Sequence, residues 1–139
     1  MINTKDVVTM RIPFPTIKDK LAYKSHMYIC MSKNNHNCEF VKCQTLKPKM
    51  LYSNLIKHYV DEKADINRNP FKVETRIDCD KIFFTNDLIF NTSMKTSLRP
   101  DVCQPLFDSV ATEVAADGYM SIILDNSEML SINMYITSV

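Results

Sequence analysis

Lys24, Ser25 and His26 stand together at the head of one apolar run, and Gln44 and Thr45 close another. These residue types suit a phosphate. An imidazole titrates near neutral pH and can exchange protons there. An ammonium balances phosphate charge, a hydroxyl hydrogen-bonds a phosphate oxygen, and a carboxamide reads a base edge. Lys24, His26 and Thr45 are therefore the candidate catalytic set. Ser25 and Gln44 are candidates to contact the bound chain. Lys18, Lys20 and Arg76 would extend a basic face, with Arg68, Lys72 and Lys81 beyond them. Tyr23 and Tyr28 are candidates to stack on unpaired bases.

The elements that must position these residues are mostly strands. Residues 6–14 alternate Val8, Met10 and Ile12 against Val7, Thr9 and Arg11, and Pro13 and Pro15 end the run. A Lys-rich loop, residues 18–25, leads to strands over 26–31 and 39–45, joined by a polar connector over 32–37. Leu51, Leu55 and Tyr59, with Tyr52, Ile56 and Val60, repeat at helical spacing, which predicts a helical insertion within residues 46–70. Strands are expected again over 71–76 and 79–85, the latter apolar on both faces. A second helix is expected from a cap at Asp101 through Leu106, Val110 and Val114 to a stop at Gly118. The extension 119–139 reads as two strands around residues 125–127, or as a helix over 127–135. This pattern predicts a mainly β chain, a small and strongly bent sheet or barrel with helical additions, in one domain over residues 1–139.

Composition narrows the chemistry. The formal net charge of +1 excludes nucleic-acid binding by bulk charge alone and leaves room for a local basic patch. A single glycine excludes a Gly-rich phosphate loop. The five cysteines, at 30, 38, 43, 79 and 103, form no C-x-x-C pair and read as small buried hydrophobes of a reducing, cytoplasmic protein. Asp78 and Asp80 lack the Gly and Glu of a calcium loop, so no metal and no cofactor is expected. Neither a leader nor an apolar span long enough for a membrane is expected.

Residues 6–15, Asp-Val-Val-Thr-Met-Arg-Ile-Pro-Phe-Pro, resemble the opening strand of the MazF/PemK/Kid toxins. Residues 24–30 fall where that family has a basic residue, an Arg-Pro pair and an apolar strand. Residues 40–45 fall where its third strand ends in Thr or Ser. Residues 78–85 resemble its late strand, and the helix from Asp101 its closing helix. The resemblance implies an SH3-like barrel, a homodimer, metal-independent cleavage of single-stranded RNA, and neutralisation by a partner antitoxin. Ser25-His26 stands where the family carries Arg-Pro, which leaves Lys24 as the nearest cation. A catalytically inactive barrel that binds protein or nucleic acid is the alternative expectation. A toxin of the same general fold that acts on a protein target such as gyrase is a third.

Overall fold

A computed structural model describes residues 1–19, 24–52 and 55–139. The chain is mainly β. It opens with antiparallel strands β1 (Val7–Met10), β2 (His26–Asn34) and β3 (Asn37–Thr45). The last two are longer than the residue pattern predicts, because the polar connector joins the ladder. Only Asn35 and His36 turn the hairpin, with Asn35 at φ 57. Asn adopts this left-handed conformation at low cost because its short side chain bonds locally. Beyond them come β4 (Tyr59–Glu62), β5 (Thr75–Asp78), β6 (Lys81–Thr85), β7 (Leu88–Phe90), α1 (Gln104–Ala115), β8 (Met120–Ile123), α2 (Asn126–Ile132) and β9 (Ile136–Ser138).

β3 is the axis of the sheet. Its second half pairs with β5, Cys43 opposite Ile77, and its first half pairs with β6, Phe40 opposite Phe83. β4 continues the sheet outside β5, and β8 runs parallel outside β6. The order β1-β2-β3-β5-β4 is open, in place of the expected SH3-like barrel. The edge that a barrel would close is occupied locally. Val7 N–H donates to Pro100 O at 2.8 Å and Val7 O accepts from Thr96 N–H at 3.0 Å, so residues 95–101 cover the start of β1.

Both faces of the sheet are buried, which explains why apolar residues occupy both alternation phases of β1–β3. On one face Val7, Ile29, Val41 and Ile77 pack with Leu106 and Val110 of α1. On the other, Val8, Tyr28, Phe40 and Phe83 pack with Met129 of α2 and with Leu88, Phe90 and Ile136 of the β7–β9 ribbon. Each such side chain contributes about 1.5–3 kcal/mol by leaving water. Cys30, Cys38, Cys43 and Cys79 are buried among them as free thiols.

Among the described residues of 46–70 no α-helix forms where a helical insertion is expected. Pro48–Tyr52 is one 3-10 turn, and Tyr59–Glu62 is a strand on β5. The stripe buries little: Leu51 is 61% and Leu55 87% exposed. A short helix without a buried face is marginal, whereas Tyr59 and Val60 gain a ladder against Asp78 and Ile77. The expected closing helix is present, shorter at both ends. Asp101 does not cap it, because its carboxylate receives Arg99 Nε at 2.8 Å; Cys103 is the cap residue. Gly118, at φ 77, turns the chain three residues after the helix ends. In the tail, a strand and a helix both occur, and Asp125 caps α2 by accepting Glu128 N–H at 2.9 Å. No helix among the described residues is long and apolar enough to cross a membrane.

Candidate functional site

Two cavities meet at the open end of β1–β3. The larger, about 890 Å3, runs along the outer edge of β1, between residues 93–98 and the end of α2. The smaller, about 270 Å3, is lined by His26, Gln44 and Thr45. Thr9, Ser25, Met27 and Lys72 line both, so the two form one trough. Its charged lining is Arg11, Lys72 and Lys95, and no Asp or Glu stands among its described lining residues. Ser93, Ser97 and Ser131 add hydroxyls.

The fold fixes this lining through specific contacts. Asn133, at the end of α2, clamps the Arg11 backbone: Arg11 N–H donates to Asn133 Oδ1 at 2.9 Å, and Asn133 Nδ2 donates to Arg11 O at 2.8 Å. That pair holds Arg11 at the mouth of the trough. Lys95 is held at 3.0 Å by Asp6, which offsets part of its charge.

His26 begins β2 and is half-buried. Its Nδ1 lies 3.2 Å from the Lys24 carbonyl oxygen. A carbonyl only accepts, so in the neutral ring this contact places the proton on Nδ1 and leaves the Nε2 lone pair available. Burial lowers the imidazole pKa below its ordinary value, and the charges of Lys42, Lys24 and Lys47 lower it further, against the Lys24 carbonyl that raises it. A neutral imidazole among cations is the right state for a general base.

Strand alternation separates the polar residues at this end. Met27 faces Cys43 across the ladder, so Thr45 shares the Cys43 side while His26 and Gln44 share the opposite one with Tyr28. His26 and Thr45 therefore approach the small cavity from opposite faces of the sheet.

The structure brings together Ser25, His26, Gln44, Thr45 and Lys72 and leaves the other sequence candidates apart. Lys24 is exposed and acts on the site through its carbonyl and its charge. Lys18 is exposed in a turn and lines neither part of the trough. Lys20 and Tyr23 lie outside the described residues. Arg76 is buried on β5 and engaged elsewhere. Its Nε and Nη2 donate to the two Asp61 oxygens at 2.8 Å, its Nη1 donates to Met50 O at 3.0 Å, and it stacks 3.7 Å above the Tyr59 ring. Tyr28 is fully buried and cannot stack on a base. Sequence reasoning missed Arg11, Lys95 and the serines at 93, 97 and 131, which come from three distant segments with no shared spacing.

Among the described residues no group of His, Cys, Asp and Glu side chains is arranged to hold a metal ion. Comparison with family models, with curated proteins and with solved structures gives no match.

Proposed function

We propose that this chain binds single-stranded RNA along the trough and cleaves it at His26, as an endoribonuclease of the MazF/PemK type. The observation that carries this reading is the trough itself: a basic, hydroxyl-rich and carboxylate-free channel that ends at a neutral imidazole. An RNA backbone needs a lining without acidic repulsion, and Arg11 and Lys72 supply cations along it.

The chemistry requires three services. His26 Nε2 takes the proton of the 2′-hydroxyl, whose oxygen attacks the adjacent phosphorus and expels the 5′-oxygen. Lys72, which lines both parts of the trough, balances the charge that builds on the phosphorane. A cationic side chain or solvent returns a proton to the leaving oxygen. The products are a 2′,3′-cyclic phosphate and a 5′-hydroxyl, and no step calls for a metal. A homodimer and a neutralising antitoxin rest on the family resemblance alone, and a cytoplasmic location on the cysteine pattern.

The second reading is a silent module that binds nucleic acid or protein through the same trough. The opposite-face placement of His26 and Thr45 favours it, since the hydroxyl expected at the phosphate approaches from the far side of the imidazole. Incubation of the purified protein and of H26A with a long single-stranded RNA tests the choice. Cleavage by the parent and at least a hundredfold slower cleavage by the variant support the enzyme. Equal binding without cleavage by either supports the module.

A further inference from the structure

A separate cavity of about 280 Å3 opens on the opposite side of the β3–β5 ladder from α1. One wall is aromatic: Phe14 and Phe83 meet edge-on with ring centroids 5.5 Å apart. Met50 adds a polarizable thioether, which favours an aromatic neighbour. Charges line the other wall, and most of them cancel. Arg76 is engaged by Asp61, and Lys81 Nζ lies 3.1 Å from Asp78. Asp78 also accepts the Asp80 N–H at 2.8 Å.

Lys42 is the exception. It lies half-buried on β3, and no hydrogen bond or ion pair holds its ammonium among the described residues. Directly across the ladder from it stands Tyr28, whose buried hydroxyl also has no hydrogen-bond partner among the described residues. A buried donor without an acceptor thus stands opposite a half-buried ammonium. A buried hydroxyl left unmatched keeps its full desolvation penalty. Burial pushes the Lys42 pKa down and the Lys81 charge lowers it further, against the Asp78 carboxylate, which raises it and which Lys42 shares with Lys81.

We propose that this cavity binds a small monoanionic aromatic acid, its ring against Phe14 and Phe83 and its carboxylate on Lys42. Arg76 is matched by Asp61 from outside the cavity, and Lys42 and Lys81 share the single carboxylate of Asp78, so one positive charge is left over and matches one negative charge. A phosphate dianion would need a second cation, and Arg76 and Lys81 are already paired. The volume lies just below the ~300 Å3 at which sites for drug-sized ligands begin, so a single or fused ring fits and a larger body does not.

The test is calorimetric titration of the full chain with phenylacetate and indole-3-acetate, beside their uncharged amides. The proposal predicts one saturable site for at least one acid, with the matching amide at least tenfold weaker. It also predicts that K42M weakens the acid at least tenfold while its melting temperature stays within a few degrees of the parent. The acid–amide comparison on the unaltered chain stands even if K42M fails to fold. Equal affinity for acid and amide, or no binding of either acid at millimolar concentration, would overturn the proposal. So would protection of Lys42 from acylation by a single-stranded RNA oligonucleotide and not by the acids, which would make the cavity part of the RNA path.

Discussion

The Nδ1 of His26 lies 3.2 Å from the carbonyl oxygen of Lys24, two residues back along the same chain. This contact orients the ring, and the surrounding lysines together with burial hold it neutral. Cleavage should therefore rise with pH through a midpoint below 6.5, the ordinary histidine value, and be level at pH 7 and above. A pH profile of kcat/KM gives the midpoint. A midpoint above 6.5 would remove His26 from the role of base.

The trough predicts the salt dependence of RNA binding. Arg11 and Lys72 line it and Lys18 does not. Binding of an oligonucleotide, followed by fluorescence anisotropy against salt, should show R11A and K72A each lowering the slope of log K on log salt by about 0.7. K18A should leave it unchanged. Equal effects of all three would mean that RNA does not follow the trough.

Arg76 should matter for stability and not for RNA. Its side chain is 4% exposed and that of its partner Asp61 27%. R76A leaves the Asp61 carboxylate unmatched and should cost roughly 3–4 kcal/mol in urea unfolding, at the lower part of the buried-pair range because Asp61 keeps some water. RNA affinity of the folded fraction should be unchanged.

His58 ties the start of β4 to the end of α1. Its Nδ1 lies 3.1 Å from Glu113 and its Nε2 3.1 Å from Asp117. The Glu113 contact, with the charges of Asp117 and Asp80, raises its folded pKa above 6.5. A raised folded pKa means that the folded state holds this proton more tightly than the unfolded one. The stabilisation is thus complete below pH 6.5 and fades as pH rises through the folded value. The difference in melting temperature between the parent and H58Q should be larger at pH 5.5 than at pH 9. A difference that grows with pH would contradict the ion-pair account.

The residues that announced themselves in the sequence were those whose structure is local. Val8 and Met10 alternate on β1 with Ile12 packed just beyond its end, and Leu106, Val110 and Val114 repeat as a helix, because each pattern faces one packed surface. Leu51 and Leu55 show the limit of that logic, since their spacing is helical and yet both side chains stay mostly exposed. Ser25, His26, Gln44 and Thr45 were legible as a group because β2 and β3 are neighbours in a hairpin. Arg11, Ser97 and Ser131 were not, because residues 95–101 and the end of α2 reach the edge of β1 through long-range backbone contacts that leave no periodic trace. Arg76 was misread for a related reason: Asp61, its neutralising partner, sits on β4, in a segment expected to be helix and loop.

The central claim is that the trough cuts RNA, and one measurement meets it directly. A long single-stranded RNA is incubated with the purified chain in EDTA, and the fragments are resolved and their ends identified. Discrete fragments with 2′,3′-cyclic phosphate and 5′-hydroxyl ends, absent with H26A, are the predicted result. RNA that stays intact while the chain binds it would contradict the enzyme and leave a nucleic-acid-binding module.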